Sequence, residues 1–229
     1  MSGGINEQKK EEFRKRLLAW FENNGRKDIP WRKTSDAWPT LLASVLLRKT
    51  TRRQVEKVYR SFIARFPNPE ALALSSPIEV ERALQPLGME HLRAEGVVKL
   101  AKQLVNSFKG SVPSTARELE DLPMVGPYTA REVLCIAFGQ DEPMLDRNMI
   151  RVIQRVFSFK SARRRPNTDP NLWAQAKELI PEGKGREFNY AIMDFAHDVC
   201  RARQPLCYNC PMNSICDYAS QVGAQNRKL

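Results

Sequence analysis

The sequence predicts an all-α protein, and three observations support that prediction. Apolar residues recur at i, i+3 and i+4 along most of the chain, as they do on the buried face of an amphipathic helix. Several of these runs begin after a Ser or Thr with Glu three residues later and end at Pro or Gly, which are start and stop signals of helices. No stretch shows the sustained alternation of apolar and polar residues that is typical of a half-buried strand.

The first half of the chain contains five predicted helices. They lie over 8–24 and 37–48, along the apolar run from Val55 to Phe66, after Ser76-Pro77, and along the apolar run from Val97 to Phe108. Ser76 is a good N-cap, Pro77 suits the first helical position, and Glu79 completes the pattern of a capping box. The second half continues in the same way, with a predicted helix around 172–179 and another over 188–199.

Residues 115–139 predict two helices joined by a tight turn. Thr115 and Glu118 have the spacing of a capping box, and Met124-Val125-Gly126-Pro127 cannot continue a helix. A second helix is predicted from Tyr128 until Gly139 ends it. A helix N-terminus presents main-chain N–H groups that can bind a phosphate without any base contact. The candidate phosphate-binding residues at this turn are Val125, Gly126 and Thr129.

A loop follows the two helices predicted over 115–139 and ends at an acidic residue, Asp146. Asn148, two residues later, is the predicted cap of a third helix with an apolar face that extends to Phe157. This order of helix, turn, helix, acid loop and helix makes 119–157 the candidate centre of the chemistry.

Composition favours a polyanionic partner and excludes a membrane protein. The 229 residues carry a formal net charge of +11, and Lys and Arg are spread along the chain. There is no run of 18 apolar residues and no pattern of a signal peptide, so a soluble intracellular protein is expected.

Four of the five cysteines lie close together near the C-terminus. They are Cys200, Cys207, Cys210 and Cys216. In an intracellular protein this distribution indicates metal ligands and not a disulfide framework. Four thiolates suit either zinc or an iron–sulfur cluster on ligand chemistry alone. Cys135 lies on the apolar side of a helix and is expected to be a core residue.

Several of these motifs together resemble one family. LPMVGPYTA followed by LDRNMIRV resembles the helix-hairpin-helix and catalytic aspartate of the base-excision DNA glycosylases related to endonuclease III and MutY. GRKDIPWR at 25–32, LLASVLLRKTT at 41–51 and FNYAIMDFAHDVC at 188–200 match that superfamily in the same order. The cysteine spacing is similar to its [4Fe–4S] loop, which implies that the four cysteines at 200–216 hold this cluster.

The resemblance also implies an architecture and a partner. It implies a six-helix barrel domain with the hairpin over 34–139, a discontinuous helical domain over 1–33 and 140–229, and a DNA-binding cleft between them. The implied partner is double-stranded DNA with a mismatched or damaged base, bound by a monomer in a prokaryotic cytoplasm, with the enzyme at the nucleoid. Further candidate DNA contacts are Arg48, Lys49 and Met89 in loops that would enter the duplex, and Arg201 and Arg203 beside the cysteines.

The candidate catalytic residues are Asp146, Tyr128 and Ser44. Asp146 would stabilise the sugar cation that forms as the base leaves. Tyr128 stands where endonuclease III has its Schiff-base lysine and is similar to the residue of archaeal G/T-mismatch thymine glycosylases. Ser44 stands where MutY and those thymine enzymes have a glutamate. Met124 is a further departure, because the hairpin of the family usually has Gly there.

The predicted activity is therefore monofunctional removal of thymine or uracil mispaired with guanine. Loss of an acid at position 44 should slow adenine excision more than pyrimidine excision, since adenine is the poorer leaving group and needs a general acid. Two alternatives stay open: an adenine glycosylase of MutY type without its C-terminal domain, and a catalytically silent protein that binds lesions.

Overall fold

The computed structural model describes residues 6–225, and every regular element in that range is helical. The all-α prediction is confirmed. In chain order the α-helices are α1 (Glu7–Asn24), α2 (Ala37–Leu46), α3 (Arg52–Arg65), α4 (Pro69–Ala73), α5 (Pro77–Leu84), α6 (Glu90–Phe108), α7 (Ala116–Glu120), α8 (Pro127–Phe138), α9 (Arg147–Phe157), α10 (Pro170–Glu178), α11 (Gly185–Asp198) and α12 (Asp217–Gln225). Within the described range none of these helices is long and apolar enough to span a membrane.

The chain folds into two units. The middle unit is Lys27–Gln140, and the discontinuous unit combines Met1–Arg26 with Asp141–Leu229. The family resemblance implied a first boundary at 33/34, seven residues after the observed boundary at 26/27. The difference has a packing reason, because Trp31 is buried in the core of the middle unit with its ring edge-on to Tyr59 at 5.4 Å.

The middle unit comprises α2 to α8. Helix α2 is its central element, since its residues from Leu41 to Leu46 are all buried and it packs against α8. Helix α6 packs against both α4 and α5. A continuous apolar core fills the space between these helices, and Phe62 and Leu100 are among its fully buried side chains. A helix that is buried all round, as α2 is, gives its few polar residues a fixed environment.

The discontinuous unit comprises α1 and α9 to α12, and aromatic contacts form its core. Phe13 of α1 packs edge-on against Phe157 at 5.1 Å and against Phe188 at 6.0 Å. Trp20, two turns later on α1, packs edge-on against Phe195 of α11 at 5.5 Å. These contacts join the N-terminal helix to the C-terminal third of the chain.

Local signals fix most helix ends as predicted. The side chains of Ser76 and Thr115 accept hydrogen bonds from the N–H groups of Glu79 and Glu118, so both are N-caps. The Glu79 carboxylate does not complete its box, since it pairs with Arg65 at 2.6 Å. Helices α4 and α12 were not predicted, because one is a single turn and the other has a mostly polar sequence.

Candidate functional site

The predicted hairpin is present between α7 and α8, and Met124 sets the shape of its turn. Met124 has a φ of +65°, in the left-handed region that costs a residue with a side chain about 1–2 kcal/mol. Gly96 on α6 explains how the side chain fits. A Cβ added at Gly96 would lie 2.3 Å from the Met124 sulfur, so the methionine occupies space that any other residue at 96 would fill. The Arg48 guanidinium donates a hydrogen bond to the Met124 carbonyl and ties a second loop to the turn.

The N–H groups at the start of α8 divide into two kinds. The Val125 N–H donates to the Leu122 carbonyl at 3.2 Å and therefore closes the turn. The N–H groups of Gly126 and Thr129 donate to no protein acceptor within the described residues. Of the three predicted phosphate-binding positions, these two offer a donor at a helix N-terminus.

Ser44 lies among buried polar side chains between α2 and α8. Its hydroxyl is 3.2 Å from the hydroxyl of Thr129 and donates to the Glu132 carboxylate at 2.5 Å. All three side chains are buried. Sequence reasoning missed Glu132, although its position four residues after Tyr128 puts both on one face of α8. Position 44 itself carries no acid, but α8 places the Glu132 carboxylate against the Ser44 hydroxyl.

Tyr128 lies in the first turn of α8 and is half-buried. Lys49 and Met89, the predicted DNA-contacting residues of two loops, are exposed, and both have a positive φ, of +56° and +53°. Strained, exposed positions of this kind cluster at ligand-binding sites.

Asp146 is the N-cap of α9, a position predicted for Asn148. One Asp146 carboxylate oxygen accepts the N–H groups of Asn148 and Met149, both at 2.8 Å, and the other accepts the Asn148 side-chain amide at 2.8 Å. Both residue types are good caps, but the extended backbone of Asp146 makes it the N-cap, so α9 begins at Arg147, one residue before Asn148. Burial raises the pKa of Asp146 above its ordinary value, against the lowering effect of these hydrogen bonds and of Arg151.

The loop that holds Asp146 is fixed by a residue that the sequence did not reveal. Asn189 of α11 is fully buried; its side-chain oxygen accepts the Met144 N–H at 2.7 Å and its amide donates to the Glu142 carbonyl at 2.9 Å. A fully satisfied buried amide of this kind selects one loop conformation. No pattern in a single sequence marks such a residue, because Asn on a helix is usually exposed.

Arg151 connects the start of α9 with the cysteine segment. Its guanidinium donates to the Asn148 side-chain oxygen at 3.2 Å and to the Cys200 carbonyl at 2.9 Å. Arg155, one turn later, donates to the Arg201 carbonyl at 2.7 Å and the Ala202 carbonyl at 3.0 Å. Helix α9 therefore orients both the Asp146 carboxylate and the backbone that follows Cys200.

All four predicted cysteine ligands line one cavity. Its remaining wall is largely apolar and includes Val156, Phe195, Val199, Pro205, Leu206 and Met212. Burial raises the pKa of the Cys210 thiol to about 11, and it raises the pKa of the Cys207 and Cys216 thiols as well. Four thiolates cannot stay ionised together in such a cavity without a positive centre between them.

Three further observations concern the cysteine segment. Among the described residues no group of three or more His, Cys, Asp or Glu side chains is close enough to hold a single metal ion. Arg201 and Arg203 are exposed, as a role in contacting phosphates requires. Tyr208, between two of the cysteines, is 88% exposed.

Known proteins resemble this chain over almost its whole length. The thymine-DNA glycosylase of Aeropyrum pernix is 48% identical over 210 residues, which cover 91% of this chain and 94% of that protein. The thymine/uracil-DNA glycosylase of Pyrobaculum aerophilum is 49% identical over 208 residues, 90% of each chain. A solved structure of a thermostable thymine-DNA glycosylase is 34% identical, with a TM-score of 0.89 over 94% of this chain and 98% of that one.

A family model matches residues 42–181, which include Ser44, the hairpin and the Asp146 loop. It describes the HhH-GPD superfamily base excision DNA repair proteins, and the protein belongs to that family.

Proposed function

We propose that this protein is a monofunctional DNA glycosylase that hydrolyses the N-glycosidic bond of thymine or uracil mispaired with guanine. The Asp146 carboxylate, fixed as the cap of α9, is the observation that supports the chemistry. The choice of base is supported by the two relatives that are 48% and 49% identical over nine-tenths of the chain, a thymine-DNA glycosylase and a thymine/uracil-DNA glycosylase.

Asp146 has the properties that the reaction needs. Departure of the base leaves an oxocarbenium-like sugar, and a carboxylate near that sugar stabilises its positive charge. Three hydrogen bonds hold the carboxylate in one orientation, so little reorganisation accompanies the reaction. Partial burial strengthens the interaction with a developing cation and at the same time raises the pKa of the group.

The proposed reaction uses water and leaves the DNA strand intact. Tyr128 carries no amine, and the sequence from 110 to 159 contains no lysine. A Schiff base, and hence β-elimination at the abasic sugar, needs a nucleophilic amine. Hydrolysis is therefore the expected outcome, with an abasic site as the product.

Binding of the duplex is expected to depend mainly on phosphate contacts. The N–H groups of Gly126 and Thr129 offer a site for one phosphate, and the exposed cations Arg48 and Lys49 lie in a neighbouring loop. Exposed Met89 is an apolar side chain of the size that other proteins insert between base steps. With a net charge of +11, affinity should fall steeply as salt rises.

The cysteine cavity fits a [4Fe–4S] cluster, and we include this cluster in the proposal. All four cysteines line one cavity, and an apolar wall surrounds it. The main-chain N–H groups of Tyr218 and Ala219 favour the thiolate form of Cys216, against the effect of burial, which raises its pKa. When bound, the cluster would supply the positive centre that keeps four thiolates ionised and would hold the 200–216 segment in one conformation.

A single-turnover panel tests the proposed function. Duplexes would contain T·G, U·G, A opposite oxoguanine, or an oxidised pyrimidine opposite guanine, with excess protein over DNA. We expect base release from the T·G and U·G duplexes. Release confined to the A·oxoguanine duplex would instead support the adenine alternative, and binding without release of any base would support a silent lesion-binding protein.

A further inference from the structure

Two exposed loops of the middle unit are joined by one buried arginine. The first is the 47–51 loop, between α2 and α3, which contains Arg48 and Lys49. The second is the 85–89 loop, between α5 and α6, which contains Gly88 and Met89. Their exposed tips, Lys49 and Met89, are distant in sequence, and both have left-handed backbone conformations.

Arg93, in the first turns of α6, lies beneath both loops and is only 5% exposed. Its Nε donates to the Gly88 carbonyl at 2.9 Å, and one terminal nitrogen donates to the Arg48 carbonyl at 2.9 Å. The other terminal nitrogen is 3.5 Å from the Leu46 carbonyl at the end of α2. The planar guanidinium fork therefore fixes the distance between the two loops in a way that a flexible point charge does not.

Burial of this cation is not explained by stability alone. The partners of Arg93 are neutral main-chain carbonyls, and within the described residues no carboxylate pairs with it. Burial, with the nearby Arg48 charge as a smaller effect, lowers the pKa of Arg93. An apolar residue of similar volume would avoid this desolvation cost, so the arginine serves to select one arrangement of the loops.

We propose that Arg93 is a positioning residue that makes the two loops act on DNA as one rigid element. This inference rests on the proposed function. The 47–51 loop offers cations to phosphates, the 85–89 loop offers the apolar Met89 to the base stack, and extrusion of the base requires both contacts at once. Arg93 itself would act from beneath the two loops without touching the DNA.

If Arg93 has this role, its replacement should slow base excision most when the base must be extruded from a pair. Unstacking is most costly for a paired base and least for an unpaired one. The test compares single-turnover excision of U in a U·G pair with excision of U in a single-nucleotide bulge. Arg93→Met keeps the volume and removes the fork, and should slow excision from the pair about 10–100-fold but from the bulge less than about threefold. Equal slowing on both substrates would overturn the proposal.

Two further variants distinguish a loss of loop positioning from a loss of folding and from the loss of one positive charge. Arg93→Lys keeps a cation and a donor, and should show the same substrate-dependent defect in weaker form, with thermal unfolding like that of the wild type. It provides the test if Arg93→Met does not fold, and uniform slowing by the lysine variant would count against the proposal. Arg65→Met removes an exposed arginine that pairs with Glu79 in the same unit, and is the control for loss of one positive charge. Its excision ratio between the two substrates should equal that of the wild type.

Hydrogen–deuterium exchange of the free protein tests the bridge without any activity. In Arg93→Lys, and in Arg93→Met if it folds, amides of both the 47–51 and the 85–89 loops should exchange faster than in the wild type. Faster exchange in one loop only, or in neither, would show that Arg93 does not couple them. If the wild type released no base from any duplex, the proposed function would fail, but the exchange result would still decide whether the bridge exists.

Discussion

Replacement of Asp146 by Asn separates the proposed catalytic role of its charge from its structural role as the N-cap of α9. An asparagine keeps the oxygen that accepts the N–H groups of Asn148 and Met149, but its own amide would face the Asn148 amide at 2.8 Å. Loss of one hydrogen bond should lower the free energy of unfolding by about 0.5–1.5 kcal/mol. Loss of the attraction between the negative charge and the N-terminus of α9 should lower it by about a further 0.3–1 kcal/mol.

The loss in stability is offset because the buried charge is removed. The folded-state pKa of Asp146 is raised, so its contribution to stability is present at low pH and is lost as pH rises through the folded-state pKa. At neutral pH the ionised group therefore opposes folding through desolvation, and asparagine removes this cost. We expect a net change within about 1 kcal/mol, or a shift of about 2–4 °C in Tm for a chain of this size.

The effect on excision should be far larger. Loss of one preorganised electrostatic group typically lowers a rate by about 10²–10³, while affinity for the mismatched duplex is retained. In the wild type the rate should fall as pH falls through the raised pKa of Asp146, because the carboxylate must be ionised. The variant should have a low rate without this acid limb.

The assay is single-turnover release of U from a U·G duplex, measured against pH, together with thermal unfolding. Asp169→Asn is the matched control, because Asp169 caps α10 by accepting the Asn171 N–H at 3.0 Å, as Asp146 caps α9. It should excise like the wild type. Full activity of Asp146→Asn, or an equal loss in the control, would refute the assignment of Asp146.

Three further predictions concern the turn, the cysteines and the nucleophile. Gly96→Ala should destabilise the wild type by about 1–3 kcal/mol through overpacking against Met124, but should stabilise a protein that also carries Met124→Gly by about 1 kcal/mol through helix propensity. Urea unfolding of the wild type, the two single variants and the double variant measures both changes in the free energy of unfolding. A Gly96→Ala effect of the same sign with and without Met124→Gly would contradict the contact. Purified protein should be yellow-brown with about four irons per chain and a broad band near ~400 nm, and Cys210→Ser should lower both iron content and Tm; a colourless, zinc-loaded and active preparation would argue against the cluster. Tyr128→Lys should introduce borohydride trapping and strand cleavage that the wild type lacks, because it supplies an amine; an equally inert variant would show that position 128 does not reach the abasic sugar.

Elements with local signals could be predicted from the sequence. Thr115 and Ser76 cap their helices as predicted, because a side chain bonding an N–H three residues away depends on neither packing nor distant partners. The tight turn before α8 and the grouping of four cysteines around one cavity likewise follow from residues that are close in sequence.

Features that depend on distant residues could not be predicted. Glu132 is buried because α2 presents the small hydroxyl of Ser44 to it, across 88 positions of sequence. Met124 can adopt a positive φ with its side chain packed because Gly96 leaves room for it. Arg93 has the sequence context of an exposed arginine, and only the return of the 47–51 loop to the start of α6 makes it a buried bridge.

The most direct test of the central claim is the state of the DNA strand after one turnover of the wild type on a U·G duplex. The products would be separated before and after treatment with alkali, with a parallel sample in borohydride. We expect released uracil, an unbroken strand that is cut only by alkali, and no covalent protein–DNA complex, because Tyr128 carries no amine that could attack the sugar. A strand nicked without alkali, together with a borohydride-trapped complex, would contradict hydrolysis by a monofunctional enzyme.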